Sequence, residues 1–516
     1  MELQVLMEPN EYWWGGTSED GMSCPFDSQT ALTHDFTVMC PNQTMPLFLS
    51  NHGRVIWSDD AFSVRIENGE IEIKGKNVVL ESFGSTLRDA YIGAMQAHFP
   101  PSGKKLPELF FKTAQYNTWM QLTYNQTQEG ILKYAHEIID NGFAPGIFII
   151  DEGWEKTYGV WDFDRAKFPN PKEMVDELHT LGFVVMLWVV PFVTPCGLHF
   201  IKKAYSKFNP KEWNRIFLRT EDGKIAITNW WNGYSAILDF TKEADVKFLD
   251  LQLQNLMTNY GIDGFKFDGG SVSSYSEECC INGTPEKTST PQQRNIAWND
   301  FGSRYSYHEY KDTFKGGGKR TIQRIQDKYH AWGHDGLAEL VPCAILQGLI
   351  GHPYICPDMI GGGAWSDREL NIPVDQELFV RMAQTSALFP MMQFSWAPWE
   401  AVDNDHLKMI RNAAKLHIQF SEKLLSLIND CYQTGEPILR CLEYNYPGMG
   451  YEKINDIFML GEDILVAPVQ KKGETMRTLN LPNGKWKYIN GEVMEGNREV
   501  TVIASIDTLP IFEKLD

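Results

Sequence analysis

The 516-residue sequence predicts an α/β fold: a (β/α)8 TIM barrel flanked by an N-terminal β-sandwich and a small C-terminal β-domain. The middle of the chain alternates continuous apolar segments with amphipathic helical segments, which is typical of parallel strands that helices cover on both faces. Both ends carry short runs of alternating apolar and polar residues between turn signals, which is typical of antiparallel sheets. We therefore place the sandwich in residues 1–108, the barrel in 109–432 and the C-terminal domain in 433–516.

The N-terminal segment shows no helical periodicity up to about residue 105. Alternation with a period of two is clearest in residues 62–82, where Asn68 and Gly69 mark a tight turn. The Pro- and Gly-rich segment 98–110 is expected to link this domain to the barrel.

Eight segments of the middle region are candidates for barrel strands. They lie in residues 109–119, 145–154, 183–192, 263–270, 321–328, 329–335, 352–363 and 388–396. An amphipathic helix over 404–430 is expected to be the last helix of the barrel. The long gap at 270–320 is expected to be an insertion on the active face, because loops at that end of a barrel carry the functional residues.

The charge and the cysteines of the chain exclude several classes of function. With 47 basic and 67 acidic residues, the formal net charge is −20. Such a chain lacks the positive surface on which nucleic-acid binding and anionic membranes depend, so we expect neither as a partner. The sequence shows no secretory leader and no apolar run long enough to span a bilayer, which predicts a cytoplasmic protein. The nine cysteines form no CxxC pair, which argues against a zinc ribbon or a redox dithiol.

Carboxylates and tryptophans recur at the predicted C-terminal ends of the barrel strands, where side chains face the active site. The carboxylates are Asp151, Glu152, Asp268, Asp335 and Asp358, and the tryptophans are Trp119, Trp188, Trp332 and Trp396. A pair of carboxylates can cleave a glycosidic bond, and tryptophan rings pack against sugar rings. A metal-dependent barrel enzyme is the weaker alternative, because His334 is the one histidine close to these positions. We expect no metal and no cofactor.

The segment GFKFDGG at 264–270 resembles the nucleophile motif of glycoside hydrolase family 31. The segments at 148–154, 162–193 and 229–240 are similar to further motifs of that family, in the same order, and the resemblance extends from about residue 109 to 470. Within the family, residues 332–363 and 391–399 are most similar to a branch that resembles α-galactosidases rather than the commoner α-glucosidases.

The resemblance implies a retaining mechanism on α-glycosides. Asp268 matches the nucleophile, and Asp335, at the end of the sixth predicted strand, matches the acid/base residue. The positions expected to bind the sugar are Asp151, Trp188, Trp231, Lys266, Arg324, Trp332 and Asp358. Trp230 is the alternative to Trp231, and Arg320 is the alternative to Arg324. Lys266 has a second interpretation, as part of a salt bridge inside the barrel.

The sequence departs from the common α-glucosidase pattern at the ends of the seventh and eighth predicted strands. Because these walls contact the sugar hydroxyls, the departures favour an α-galactosidase that takes a small oligosaccharide or another α-glycoside. An α-glucosidase, an α-xylosidase, a transglycosylase and a non-catalytic carbohydrate-binding relative remain alternatives.

Overall fold

The computed structural model describes residues 2–208 and 215–515. Eight parallel strands form one sheet in which each strand neighbours the next along the chain, and the eighth lies beside the first. A parallel bridge between Ile360 and Phe394 joins the seventh strand's exit to the eighth strand and closes the barrel. The strands are Gln115–Asn117, Ile147–Ile150, Val184–Val189, Gly264–Phe267, Tyr307–Tyr310, Ile322–Arg324, Ile355–Cys356 and Gln393–Phe394. The predicted barrel is confirmed.

Within the described residues, seven long helices cover the barrel. They are Gln128–Asp140, Pro171–Thr180, Glu243–Tyr260, Pro291–Gly302, Leu337–Leu349, Gln376–Ser386 and Asn404–Thr434. Thr127 caps the first of them, because its hydroxyl accepts a hydrogen bond from the backbone N–H of Gly130. Between the fifth and sixth strands, which are both among the described residues, the chain forms the short strand Thr313–Phe314 instead of a helix.

The fifth and sixth strands differ from the prediction. Tyr307–Tyr310 is the fifth strand and Ile322–Arg324 the sixth, whereas residues 329–335 form a loop before the helix Leu337–Leu349. The fifth strand was missed because its sequence YHEY places the polar residues His308 and Glu309 in the barrel wall. Asp335 consequently does not end a strand. It lies in the loop with a left-handed backbone (φ 59°).

The segment 270–320 is also different from the expected insertion. It contains a 3-10 turn (Val272–Tyr275), the barrel helix Pro291–Gly302 and the fifth strand. The larger insertion follows the third strand instead. There, Phe192–Val193, Ile227–Trp230 and Gly233–Ile237 form a three-stranded antiparallel sheet, beside the helix Pro195–Phe208.

The N-terminal region contains two antiparallel sheets, as predicted. The first consists of Glu2–Leu6, Leu32–Asp35, Phe62–Glu67 and Glu70–Gly75, and the second of Trp13–Thr17, Gln43–Ser50, Arg54–Trp57 and Val79–Ser82. The helix Leu87–His98 was not predicted, so the expectation that residues up to about 105 contain only β-structure was wrong. Its buried face contains two alanines, which made the apolar periodicity weak. The short strand Thr313–Phe314, which lies between the fifth and sixth barrel strands in the chain, extends the second sheet by pairing in parallel with Gln43 and Thr44.

The C-terminal region is a small β-domain, as predicted. Its main sheet consists of Leu439–Arg440, Phe458–Leu460, Ile464–Val466, Lys485–Tyr488, Val493–Glu495 and Ile511–Lys514, and Met476–Leu481 pairs separately with Arg498–Ile503. This domain has its own hydrophobic core, in which Trp486 and Phe512 are fully buried. Short helices at Leu109–Lys112, Trp119–Leu122, Trp365–Glu369, Pro398–Ala401 and Leu442–Asn445 complete the fold. Within the described ranges, no helix combines the length and the apolar character that crossing a membrane requires.

Candidate active site

A cavity of about 570 Å³ lies at the C-terminal ends of the barrel strands. Its walls contain most of the residues that the sequence singled out: Asp151, Trp188, Trp231, Lys266, Asp268 and Arg324. Trp119, Tyr124, Glu152, Asn232, Lys311, Asp327, Met359 and Trp365 complete the lining. The cavity therefore combines carboxylates, cations and aromatic rings.

Asp268 directly follows the fourth strand and is held by that strand's neighbour. Its backbone N–H donates to the carbonyl of Val189 at 2.9 Å, and its Oδ2 accepts a hydrogen bond from Trp188 Nε1 at 3.0 Å. Gly269 and Gly270 come next with φ of 60° and 68°, and a side chain at Gly270 would meet Trp298 and Pro191. The chain can therefore turn sharply only with glycine here, and this turn leaves the Asp268 carboxyl at the cavity.

Three cations keep Asp268 ionised. Burial by itself would raise the pKa of this carboxyl, but the charges of Lys311, Lys266 and Arg324 outweigh burial, so its pKa lies below the usual value. An ionised carboxylate in a partly desolvated pocket has the properties of a nucleophile.

Lys266 and Asp151 form a buried ion pair at the floor of the cavity. Lys266 Nζ lies 2.7 Å from Asp151 Oδ2, and the two side chains are 4% and 3% exposed. Lys266 lies in the fourth strand, two residues before Asp268, which directly follows that strand, and both side chains line the cavity. The two interpretations of Lys266 are compatible, because it lines the cavity and pairs inside the barrel.

Arg324 ends the sixth strand and pairs with three carboxylates, one of which is Glu309, whose Oε1 lies 3.5 Å from Arg324 Nε. Its Nη1 donates to Asp327 and to Asp358, each at 2.7 Å. Asp358 is fully buried behind Arg324 and does not line the cavity. Arg320, the alternative, donates to the backbone carbonyls of Lys105 and Ser303 instead.

Asp327 and Lys311 were missed by the sequence analysis. Lys311 Nζ lies 2.9 Å from Asp327 Oδ2. Although burial opposes it, the charges of Lys311 and Arg324 hold the pKa of Asp327 below its usual range. The sequence predicted a strand over 321–328, but the strand ends at Arg324, so the strand-end rule applied at the correct end would have found Asp327. Lys311 follows the fifth strand, which the sequence did not reveal.

The insertion after the third strand supplies an exposed aromatic ring. Trp231 is 55% exposed and lines the cavity. Trp230 is buried, and its ring stacks on Phe192 with the centroids 4.3 Å apart. Of the two adjacent tryptophans, Trp231 is thus the one available to a ligand. Tyr124 and Trp365 lie on the cavity wall with their rings in edge contact, 6.1 Å apart.

Asp335 and Trp332 do not line the cavity. The Asp335 side chain is 54% exposed and lies 3.0 Å from His334 Nδ1, whose pKa it raises. Trp332 Nε1 donates to Asp375 at 3.0 Å. His334, Asp335 and Glu339 lie close enough together to share a cation, but Glu339 already pairs with Lys328 Nζ at 2.6 Å.

Comparison with known proteins identifies the family. A family model described as the glycosyl hydrolases family 31 TIM-barrel domain matches residues 111–427, and the family 31 C-terminal domain matches 435–515. The myogenesis-regulating glycosidase of Mus musculus is 31% identical over 394 residues, which are 75% of this chain and 53% of that protein. It belongs to the branch that the sequence motifs favour. Alpha-glucosidase 2 of Bacillus thermoamyloliquefaciens is 27% identical over 418 residues, 75% of this chain and 51% of that one. The chain thus spans about half the length of these curated relatives.

Solved structures share the fold over the whole chain. The family 31 dextranase of Flavobacterium johnsoniae, complexed with glucose, has a TM-score of 0.84 at 19% identity, covering 99% of this chain and 66% of its own. The cycloalternan-degrading enzyme of Trueperella pyogenes has a TM-score of 0.80 at 18% identity, covering 100% of this chain and 81% of its own.

Proposed function

Because the chain belongs to glycoside hydrolase family 31, we propose that it is a retaining, exo-acting α-glycosidase whose substrates are α-galactosides. The observation that carries this proposal is Asp268, an ionised carboxylate among three cations in a cavity with tryptophan walls. The cavity of about 570 Å³ lies within the size range of small-molecule sites and can hold a terminal sugar unit.

In the proposed mechanism, an Asp268 oxygen attacks the anomeric carbon from the face opposite the leaving group. The bond from this carbon to the glycosidic oxygen breaks, and that oxygen takes a proton from a general acid. A water oxygen then attacks the anomeric carbon while its proton passes to the same residue, which now acts as the base. The bond from this carbon to the Asp268 oxygen breaks, so the carboxylate is released and the α configuration is restored. Lys266 and Arg324 lower the pKa of Asp268 and keep it ready to attack.

We assign the general acid/base role to Asp335, on its match to the family motif. A retaining pair needs its carboxyl groups about 5–5.5 Å apart. Since Asp335 is exposed on the loop before Leu337–Leu349, this loop has to carry it to the cavity when substrate binds. Asp327 already lies at the cavity, but its two cation partners keep it ionised, which is unfavourable for a proton donor.

The preference for galactose rests on the sequence at the ends of the seventh and eighth strands. An α-glucosidase is the second candidate, because relatives and neighbours bear the names alpha-glucosidase and dextranase. Hydrolysis of nitrophenyl α-galactoside and nitrophenyl α-glucoside separates the two. Faster galactoside turnover supports the proposal, faster glucoside turnover overturns the choice of sugar, and glycan binding without any turnover identifies a non-catalytic relative.

Asp268→Ala tests the nucleophile. We expect activity to fall at least about a thousandfold, because the covalent step is lost. Azide should restore turnover and yield the β-glycosyl azide, since it attacks from the vacated face. Near-native hydrolysis by this variant would exclude Asp268 as the nucleophile.

A further inference from the structure

Two adjacent carboxyl groups at the end of the second strand have different electrostatic environments. Asp151 is paired with Lys266 at 2.7 Å. Glu152 is 3% exposed and also lines the cavity. Among the side chains that the structure describes, no nitrogen of a Lys, Arg or His lies within 4.0 Å of a Glu152 carboxyl oxygen, so none of them forms an ion pair with Glu152.

Neutral groups hold Glu152 in place. The Tyr158 hydroxyl donates to Glu152 Oε1 at 2.6 Å, and the Asn232 side-chain amide donates to the same oxygen. Asn232 lines the cavity next to Trp231. Because both of these hydrogen bonds end on Oε1, they leave Oε2 for another partner.

The charged groups that face Glu152 are carboxylates. Burial raises its pKa most, the Tyr158 hydrogen bond lowers it, and Glu155, Asp151 and Asp268 raise it again, to about 8. The protonated form of Glu152 is therefore the more populated one at neutral pH, and this form has a proton to donate.

We propose that Glu152 contacts the bound sugar as a neutral acid, donating a hydrogen bond from Oε2 to a sugar hydroxyl, and so selects an uncharged glycone. This inference rests on the proposed glycosidase function. A sugar hydroxyl accepts from the protonated form, whereas the ionised form can only accept. An anionic substituent beside Glu152 would meet the carboxylates of Asp151 and Asp268. The cavity cations Lys266, Lys311 and Arg324 are already paired with carboxylates of the protein. The ligand class is thus a neutral, hydroxylated monosaccharide unit.

The test is calorimetric binding of free galactose between about pH 6 and pH 9.5. Free galactose is not cleaved, so the protonation of Asp335 that catalysis requires does not affect the pH dependence of its binding. Wild-type affinity should be constant below about pH 7, fall by roughly fivefold to tenfold as the proton is lost near pH 8, and then level off, because one donated hydrogen bond is lost. Glu152→Gln should bind a few-fold more weakly at neutral pH, with no alkaline loss, because its amide donates at every pH.

Two further variants should move the pH at which galactose affinity falls, in opposite directions. Tyr158→Phe removes a hydrogen bond that favours the ionised form, so the alkaline loss should move to higher pH. Glu155→Gln is the matched control, since Glu155 is a buried carboxyl outside the cavity lining. Removing its negative charge should move the alkaline loss to lower pH without abolishing it.

The outcomes are distinguishable. If Glu152→Gln retains the wild-type alkaline loss, or binds galactose as tightly as the wild type at every pH, the inference is wrong even when hydrolysis is intact. Glucose replaces galactose as the probe if the wild type hydrolyses the glucoside faster. A wild type that neither binds nor hydrolyses either sugar contradicts the proposed function, and this inference with it.

Discussion

At the residue scale, the barrel interior contains charges that nonpolar residues would replace if only stability mattered. The Lys266–Asp151 pair and the contact of Arg324 with Asp358 are almost completely buried. Removing an ion from water costs several kcal/mol, so a buried pair adds little net stability. Loss of one partner is nevertheless strongly destabilising, because the other charge stays buried without compensation. We interpret this network as the electrostatic support of Asp268.

Lys266→Met should lower the free energy of unfolding by about 3–5 kcal/mol, because it leaves Asp151 buried without its partner. The double variant Lys266→Met/Asp151→Asn should recover part of that stability but not the activity. Chemical unfolding followed by fluorescence measures the first effect, and kcat/KM measures the second. Equal stability of the single variant and the wild type would contradict a coupled buried pair.

Substrates with different leaving groups show whether Asp335 or Asp327 is the general acid. Asp335→Ala should strongly slow hydrolysis of substrates with poor leaving groups and affect activated aryl glycosides much less, because these need no protonation. Azide should give the α-glycosyl azide with this variant. The same pattern in Asp327→Ala, with a uniform loss in Asp335→Ala, would transfer the acid role to Asp327.

At the element scale, the insertion after the third strand places one aromatic residue at the cavity. The strands Ile227–Trp230 and Gly233–Ile237 form a hairpin, and Trp231 and Asn232 form its turn. Trp230 ends the first strand of the hairpin and is buried, whereas Trp231 lies in the turn and is exposed. This element therefore forms a wall that the barrel itself does not supply.

Trp231→Ala should raise KM roughly threefold to tenfold with little change in melting temperature, because stacking of the exposed ring contributes about 0.5–1.5 kcal/mol. Tyr234→Ala is the matched control: Tyr234 is in the same hairpin and 57% exposed, but does not line the cavity. Similar KM values for both variants would exclude a role of Trp231 in substrate binding.

At the scale of the whole molecule, the N-terminal sheets support the active face. Thr313–Phe314 pairs with Gln43 and Thr44, at the place where the barrel has no fifth helix. Gln43 Nε2 donates to the backbone carbonyls of Lys311 at 2.6 Å and of Arg324 at 3.0 Å. The first domain thus stabilises the segments that carry two of the cations around Asp268.

The C-terminal domain is attached through a buried arginine of the barrel helix Gln376–Ser386. The Arg381 guanidinium donates to the carbonyls of Glu474, Ala504, Ser505 and Thr508. Arg381→Ala should lower the free energy of unfolding by about 2–4 kcal/mol, because buried carbonyls lose their donors. Arg498→Ala, on an exposed strand of the same domain, should have almost no effect. Equal melting temperatures for both variants would contradict this role.

The sequence by itself determined the fold class and much of the cavity. Continuous apolar strands such as Ile147–Ile150 indicate burial on both faces, and the side chains that follow such strands must meet at one end of a barrel. This rule led to Asp151 and Asp268 without any knowledge of distances. It failed for Tyr307–Tyr310, because Glu309 faces a charged barrel interior and no helix follows the strand.

Only the tertiary structure decided which charged groups become neighbours. Lys311 and Asp327 lie near Asp268 because the fifth and sixth strands are adjacent, and the N-terminal domain occupies the place of a helix. The protonation of Glu152 likewise depends on burial and on carboxylates from distant segments, which no local pattern reveals. Strand patterns depend on neighbouring residues in the sequence, so they can be recognised without the structure. The electrostatic environment of a side chain is a sum over charges and burial from the whole fold, so only the tertiary structure determines it.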